Sequence, residues 1–367
     1  MRAHSATPGG WVGRLAVWVA AVWLAAGTAA AFPVGERHLI AEEPSAAMRD
    51  AHARARLRVT LWYPAAADAH EQPLDIGPPG KPLFKPGAAA PDAAFVDARP
   101  RAVVLLSHGF GGTARMMAWF GTALARTGYV VIAVDHPGNN GVDPMTVAGA
   151  VMFWERPGDL AAALASAQAD PAIAPHLDAA RLGVAGFSAG GFTSLATVGG
   201  RVDVARLLAF CDAHPDDGVC RPQKEFAVEP SQARAFLARP DMVAQAERSH
   251  RELGLAGVKA AFVMSPAIIQ SFTPESLKRI AVPVAIVLGD ADTVAPPQTN
   301  GEVAAVLIPG ARIQILPGVG HYDFLSDCTH DGDTYVPVCP TRLPRDPTHQ
   351  AAIGKALALF GGTIGPP

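Results

Sequence analysis

The sequence has little net charge of either sign. Its 30 Lys and Arg residues nearly balance 33 Asp and Glu residues, which leaves a formal net charge of −3 at pH 7. A chain with this balance lacks the basic surface that binding to nucleic acid or to an anionic membrane requires. We therefore expect a small or neutral molecule, and no nucleic acid, as the partner. The sequence does not indicate an oligomeric state.

The apolar run near the N-terminus, Leu15 to Ala26, is too short to span a membrane, which takes roughly 20 apolar residues. Arg2 and Arg14 precede this run, and three alanines ending at Ala31 follow it. Basic, apolar and small residues in this order are typical of a secretory signal. We predict that residues 1–31 are a signal peptide, although a membrane anchor is the alternative. The mature protein would then be periplasmic or secreted, without stable membrane insertion.

Cysteines are also scarce, and the four present form two local pairs, Cys211 with Cys220 and Cys328 with Cys339. We predict a disulfide bond within each pair, because proteins outside the cytoplasm fold in oxidising compartments. Metal binding is the alternative, since both segments also contain histidine and aspartate. Neither segment has the short C-x2-4-C spacing of zinc sites, so we predict no metal and no cofactor.

Short apolar runs alternate with helical patterns along most of the chain. Runs of strand length occupy residues 102–106, 129–134, 181–185, 260–264, 283–288 and 312–316. Helical patterns separate most of them, at residues 114–126, 158–169, 190–198 and 350–360. Continuous apolar strands alternating with helices indicate a mainly parallel sheet covered on both faces. The predicted fold class is therefore α/β, in one domain over residues 32–367.

Two intervals depart from this alternation. Residues 65–100 follow an alternating strand at 56–64, and their Pro, Gly and Ala content predicts a long surface connection. Residues 201–257 contain no clear strand but carry helical patterns at 232–238 and 242–253. We predict a helical insertion there. It is either a lid over a site or a surface excursion held by the first cysteine pair.

The segment Gly186-Phe187-Ser188-Ala189-Gly190 follows one predicted strand and precedes a predicted helix. The pattern G-x-S-x-G in this context is typical of a nucleophile elbow, a tight turn that exposes a serine hydroxyl. The glycines are needed because side chains there would clash with the neighbouring strand and helix. A chance match is the alternative, but the strand before and the helix after favour Ser188 as a nucleophile.

A serine nucleophile needs a base, and the base needs an orienting acid. His321 follows the predicted strand 312–316, and Asp290 and Asp292 follow the strand 283–288. Open parallel sheets bind their ligands at the carboxyl ends of strands, where all these groups would lie. We predict His321 as the base and Asp292 as the acid, with Asp290 as the alternative acid.

Acyl transfer also needs hydrogen-bond donors for the developing oxyanion. We predict the backbone N–H groups of Ala189, which follows the nucleophile, and of Phe110, which lies in the glycine-rich loop after strand 102–106. His108 is predicted to brace this loop through hydrogen bonds. A phosphate-binding loop is the alternative, but the spacing matches neither G-x-G-x-x-G nor a Walker loop.

Six motifs together resemble the serine α/β-hydrolases grouped as predicted dienelactone hydrolases and related to plasma-type platelet-activating factor acetylhydrolases. They are SHGFGG, VIAVDHPG, RPGDL, GFSAGG, GDADTVAPP and GHYDF, and the resemblance spans residues 57–339. It implies the α/β-hydrolase fold, a triad of Ser188, Asp292 and His321, and an oxyanion loop at residues 108–110. Dienelactone hydrolases themselves use a cysteine nucleophile where this chain has serine. Secreted bacterial polyester hydrolases are similar in layout.

These observations predict a secreted serine carboxylester hydrolase that acts on short- to medium-chain acyl esters through an acyl-enzyme. Aromatic residues and methionines near the loops indicate an apolar pocket for the acyl group. A peptidase or amidase with the same triad is one alternative, because the triad also cleaves amides. A non-catalytic binding protein with the hydrolase fold is the other.

Overall fold

Strands and helices alternate along the chain in the computed structural model, which describes residues 1–4, 31–341 and 343–365. The strands are β1 (Val34–Glu42), β2 (Arg56–Pro64), β3 (Gln72–Pro73), β4 (Phe84–Lys85), β5 (Ala88–Pro91), β6 (Arg101–Ser107), β7 (Val130–Asp135), β8 (Leu177–Phe187), β9 (Val258–Met264), β10 (Val284–Gly289), β11 (Arg312–Leu316) and β12 (Asp327–Cys328).

The α-helices are α1 (Ala46–Arg49), α2 (Ala118–Arg126), α3 (Val147–Val151), α4 (Arg156–Ala169), α5 (Ala189–Thr197), α6 (Val204–Ala213), α7 (Pro230–Leu237), α8 (Pro240–Arg248), α9 (Pro274–Leu277), α10 (Gly301–Leu307), α11 (His330–Tyr335) and α12 (Arg345–Thr363). Short 3-10 helices occupy Arg115–Met117, Phe153–Glu155, Ala174–His176, Gly218–Cys220, Ile269–Ser271, Pro297–Thr299 and His321–Phe324. Residues 5–30, the greater part of the predicted signal peptide, lie outside the described residues.

One large sheet has the strand order β11-β10-β9-β8-β6-β7-β2-β1-β5-β3. Strands β6 to β11 run parallel to one another. Strand β2 runs antiparallel to both β7 and β1, and β4 pairs with β12 in a separate small sheet. The predicted α/β class with a mainly parallel sheet is confirmed.

Apolar side chains of the central strands pack on both faces of this sheet. Along β6, Val103 and Leu105 belong to one buried cluster, which includes Leu160 of α4. Val104 and Leu106 belong to a second cluster with side chains of α2 and α12. Successive strand residues point to opposite faces, so this division places helices on both sides of the sheet. Burial on both faces explains why these strands are continuous apolar runs.

The segment 65–100 differs from its prediction. It contains the three short strands β3, β4 and β5, and β5 extends the large sheet by pairing with β1. Leu74, Ala89 and Ala90 in this segment are buried. The prediction of a surface connection is therefore wrong here. Strands of two to four residues, rich in alanine and proline, are too short to show an alternating pattern.

The interval 201–257 contains three α-helices, α6, α7 and α8, and no strand of three or more residues. Helix α7 corresponds to the first predicted helical pattern, and α8 covers the beginning of the second but ends at Arg248 rather than at 253. Helix α6 was not predicted. Disulfide bonds join Cys211 to Cys220 and Cys328 to Cys339, which confirms both pairings. Across the described parts of the chain, no helix combines the length and apolarity needed to cross a membrane.

Candidate active site

Ser188 lies in the turn between β8 and α5, with φ 57° and ψ −119°. Residues other than glycine rarely adopt this backbone conformation, so the turn is strained. A Cβ atom on Gly186 would clash with the Gly190 carbonyl oxygen, and one on Gly190 with the Ser107 carbonyl oxygen. This confirms the prediction that a side chain at either glycine of the elbow would clash with the neighbouring strand or helix. The turn holds the serine at the carboxyl end of the parallel strands.

Ser188, His321 and Asp292 form one chain of hydrogen bonds. His321 Nε2 lies 2.9 Å from Ser188 Oγ, and His321 Nδ1 lies 2.6 Å from Asp292 Oδ2. The other carboxylate oxygen of Asp292 accepts hydrogen bonds from the N–H groups of Val294 and Ala295, which fix its orientation. The structure thus brings together the three residues that chain order predicted. In this arrangement Nδ1–H donates to Asp292, and Nε2 accepts a hydrogen bond from the Ser188 hydroxyl.

Asp290, the alternative acid, lies elsewhere on the same loop. Its side chain is exposed, and its Oδ1 accepts a hydrogen bond from the Gly318 N–H at 2.7 Å. Gly318 is in the left-handed conformation, with φ 73°, so Asp290 stabilises the turn that follows β11. Its carboxylate is therefore engaged away from His321.

The glycine-rich loop after β6 packs directly on Ser188. A Cβ atom on Gly109 would lie 3.3 Å from the Ser188 Cβ, so the loop and the nucleophile turn are in close contact. His108 Nδ1 donates to the Gly109 carbonyl at 2.6 Å, and His108 Nε2 accepts from the His136 N–H at 3.2 Å. The predicted bracing role of His108 is confirmed. Among the described residues, the N–H groups of Phe110 and Ala189 have no protein acceptor.

A cavity of about 210 Å³ opens beside Ser188. Phe110, Ser188 and Ala189 form one side of it, and the interval 201–257 forms much of the rest. The apolar wall residues from that interval include Val204, Leu207, Leu208, Val219, Phe226, Val228, Ala233 and Leu237. A ligand seated at Ser188 would therefore place an apolar group against α6 and α7.

The same interval also contacts the chain next to His321. The Tyr322 hydroxyl donates to Glu225 Oε2 at 3.4 Å, and Lys224 Nζ lies 5.6 Å from the centroid of the Tyr322 ring. Burial raises the pKa of the Glu225 carboxyl above its ordinary value. Residues 224–226 thus extend from the apolar cavity to the residue that follows His321.

Comparisons with known proteins show which family the chain belongs to. Residues 103–331 match the alpha/beta hydrolase family. The chain belongs to that family. No curated protein matches it in sequence. Among solved structures it is similar to a ferulic acid esterase from Streptomyces cinnamoneus, at 20% identity and a TM-score of 0.58 over 90% of each chain. The predicted α/β-hydrolase fold is confirmed.

Beneath the glycine-rich loop, this alpha/beta hydrolase contains a second hydrogen-bonded series of a serine, a histidine and an aspartate. Ser107 Oγ lies 2.8 Å from His136 Nε2, and His136 Nδ1 lies 2.8 Å from Asp159 Oδ2. Arg49 donates to both oxygens of Asp159, at 2.7 and 2.8 Å. All four side chains are almost completely buried, so no substrate reaches this group and its role is structural. Burial lowers the pKa of both His108 and His136 well below the ordinary value.

Sequence reasoning did not single out Ser107, His136 or Asp159 as site residues. Their signal is the presence of two charged residues, Arg156 and Asp159, in the RPGDL motif at the start of an otherwise apolar helix, where both are buried. Charged residues are almost never fully buried unless they are paired. An arginine and an aspartate at the start of an apolar helix therefore indicate an internal polar network.

Two groups of side chains in the described residues bring potential metal-binding atoms close together. One group combines Asp333 with Cys328 and Cys339, whose sulfur atoms are already bonded to each other. A second group brings ligand atoms of Asp327, Asp346 and His349 within 4.8 Å of one another. Both of its carboxylates are exposed, and His349 Nε2 donates to the Leu325 carbonyl. Neither group belongs to the Ser188 site.

Proposed function

We propose that this alpha/beta hydrolase is a serine carboxylester hydrolase with Ser188 as nucleophile, His321 as base and Asp292 as orienting acid. The observation that carries this proposal is the hydrogen-bonded chain from Ser188 through His321 to Asp292 beside an apolar cavity. A strained serine that is hydrogen-bonded to an imidazole, which an aspartate orients in turn, is the arrangement that acyl transfer requires. A non-catalytic binding protein would not need it.

In the proposed reaction, Ser188 Oγ attacks the ester carbonyl carbon while its proton passes to His321 Nε2. The carbonyl oxygen becomes an oxyanion that accepts hydrogen bonds from the Phe110 and Ala189 N–H groups, which have no protein acceptor. The tetrahedral intermediate then expels the alcohol, which takes the proton from His321. Water repeats the sequence on the acyl-enzyme and releases the carboxylic acid. These steps need neither a cofactor nor a metal.

We propose an ester with a short- to medium-chain acyl group as substrate. Most of the cavity wall that α6 and α7 provide is apolar, with Arg234 as the charged exception, and it would accommodate the hydrocarbon part of an acyl group. The similar structure of the ferulic acid esterase shares the fold of this chain, and an esterase with this fold is consistent with ester chemistry here. The six motifs that resemble the predicted dienelactone hydrolases and the plasma-type acetylhydrolases support placing the chain near that group.

We further propose that residues 1–31 direct the protein out of the cytoplasm and that residues 32–367 are the mature domain. The two disulfide bonds support an oxidising compartment, periplasmic or extracellular. Within the mature domain, residues 201–257 would act as the cover of the acyl pocket, because they form much of its wall.

Hydrolysis of p-nitrophenyl esters of increasing acyl length tests the proposal, with the chain from Phe32 and its Ser188→Ala variant compared side by side. Turnover by the unaltered chain and background rates for the variant are expected. Equal rates for both proteins would contradict the assignment of Ser188. If esters fail while a fluorophosphonate labels Ser188, the nucleophile stands and amides become the substrate class.

A further inference from the structure

The side chain of Arg156, at the start of α4, is buried beneath the glycine-rich loop and only 2% of the residue is exposed. Its Nε donates to Thr193 Oγ1 at 3.1 Å and its Nη1 to Asn139 Oδ1 at 3.3 Å. Its Nη2 donates to the His108 carbonyl and reaches Ser107 Oγ at 3.4 Å. One guanidinium thus contacts the glycine-rich loop, the segment after β7 and helix α5.

These contacts fix the backbone on both sides of Phe110. The His108 carbonyl, which Arg156 holds, lies two residues before Phe110. Asn139 Oδ1, which Arg156 also holds, accepts the Gly111 N–H at 3.0 Å immediately after Phe110. Rotation of either peptide group that flanks the Gly109–Phe110 peptide would break one of these bonds, and the hydrogen bond from His108 Nδ1 to the Gly109 carbonyl holds that peptide itself. Arg156 therefore constrains the direction in which the Phe110 N–H points.

The contact with Thr193 extends this constraint to the second predicted donor. Thr193 Oγ1 donates to the Ala189 carbonyl at 2.8 Å and accepts from Arg156 Nε. Ala189 begins α5, directly after the nucleophile. A single side chain therefore ties together the two backbone segments whose N–H groups lack a protein acceptor. The distance between these two segments therefore depends on the hydrogen bonds that Arg156 makes to both.

The charge of Arg156 also has no direct counterion among the described residues. Asp159, one turn later on α4, is engaged by Arg49 and His136 instead. Burial lowers the pKa of Arg156 to about 9, so the guanidinium stays protonated at neutral pH. A positive charge in a low-dielectric interior stabilises nearby negative charge far more than it would in water.

We propose that Arg156 is a positioning residue of the oxyanion hole, which sets the geometry of the Phe110 and Ala189 donors and adds a positive charge at the edge of the cavity that they line. The proposal rests on the proposed esterase function. A purely structural role would stabilise the fold without favouring a negatively charged reaction intermediate. The two roles differ in one measurable quantity, the preference for a bound oxyanion over a neutral ligand of the same shape.

Two inhibitors measure that preference. Ser188 Oγ adds to an alkyl trifluoromethyl ketone, its proton passes to His321, and the former carbonyl oxygen becomes an oxyanion. The corresponding trifluoromethyl alcohol fills the same pocket as a neutral molecule and forms no bond. The ratio of the two inhibition constants is determined for the unaltered chain and for Arg156→Gln and Arg156→Lys. Arg101→Gln is the matched control, since Arg101 is equally buried but lies at the opposite end of β6.

We expect Arg156→Gln to reduce the preference for the ketone by about 10- to 100-fold, and kcat with it, while affinity for the alcohol is retained. Arg156→Lys keeps the charge but cannot span the acceptors, so a smaller loss is expected, and this variant provides the test if the glutamine variant fails to fold. Arg101→Gln should keep the original ratio.

An unchanged ratio in both Arg156 variants would overturn the proposal, even if their melting temperatures fall. A loss of the same size in Arg101→Gln would also overturn it, because the effect would then follow from burial alone. If the unaltered chain neither binds the ketone more tightly than the alcohol nor hydrolyses esters, the proposed esterase function itself fails, and this inference fails with it.

Discussion

Asp292 Oδ2 lies 2.6 Å from His321 Nδ1, whereas the carboxylate of Asp290, two residues earlier, is exposed and bound to the Gly318 N–H. The two aspartates therefore form a matched pair for mutation. Asp292→Asn should lower kcat by about 10⁴-fold, because the amide favours the wrong imidazole tautomer and cannot stabilise the imidazolium. Asp290→Asn should leave kcat near that of the unaltered chain. Steady-state kinetics with p-nitrophenyl butyrate measure kcat for both variants. Equal losses of kcat in the two would contradict the assignment of Asp292 as the orienting acid.

The acyl-length profile should depend on the cavity wall formed by α6. Leu208→Trp fills space beside Ser188, so kcat/KM should fall for octanoyl esters and persist for acetyl esters. Val243→Trp adds the same side chain to α8 of the same interval, at a residue that is 47% exposed, and should leave the profile unchanged. Parallel losses for all chain lengths in Leu208→Trp would mean that the cavity does not hold the acyl group.

The free energy of unfolding should decrease as the pH falls below about 6.5, the ordinary pKa of histidine in an unfolded chain. Burial lowers the pKa of His108 and His136 in the folded state, so the unfolded state binds protons that the folded state does not. Above that pH both states are neutral at these residues, and their contribution is fully present. Urea unfolding between pH 8 and pH 5 measures the slope.

His136→Asn removes one of the two imidazoles whose pKa burial lowers well below the ordinary value, and it should flatten this slope, whatever it does to stability at pH 8. His52→Gln alters an exposed histidine and should leave the slope as it is in the unaltered chain. The explanation would be wrong if the His136 variant kept the full dependence on pH.

The disulfide between Cys211 and Cys220 lines the cavity, so its removal should alter substrate preference as well as stability. Loss of a disulfide typically costs about 2–4 kcal/mol, and the double variant to alanine should be less stable by this order. Its kcat/KM for long acyl esters should fall more than for short ones. The Cys328–Cys339 pair does not line the cavity, and its double variant should keep the acyl-length profile. Identical profiles in the two double variants would contradict a role of the first disulfide in shaping the pocket.

The parallel strands could be predicted because burial on both faces makes each of them a continuous apolar run. Polar residues that follow β8, β10 and β11 in the sequence are sufficient to predict Ser188, Asp292 and His321. The boundaries were less predictable: β8 begins at Leu177 rather than near 181, since its first residues are partly exposed and carry no apolar pattern. Strands β3 to β5 were missed because none exceeds four residues.

The RPGDL motif indicates an internal polar network, but the partners in it could not be predicted, because they are far apart in the sequence. Ser107 and His136 are 29 residues apart, and His136 and Asp159 are 23 residues apart. Each alone looks like an ordinary polar residue at the end of a strand or at the start of a helix. Only the fold brings them together, and it also shows that Arg156 connects them to the loop that contains Phe110.

Trapping of the acyl-enzyme tests the central claim most directly. The chain from Phe32 is mixed with excess p-nitrophenyl butyrate and quenched in acid within milliseconds, and the mass of the peptide that contains Ser188 is measured. We predict one butyryl group on Ser188, formed together with a burst of p-nitrophenolate equal to the enzyme concentration. Turnover without an acyl group on Ser188, or with the acyl group on another residue, would contradict the account.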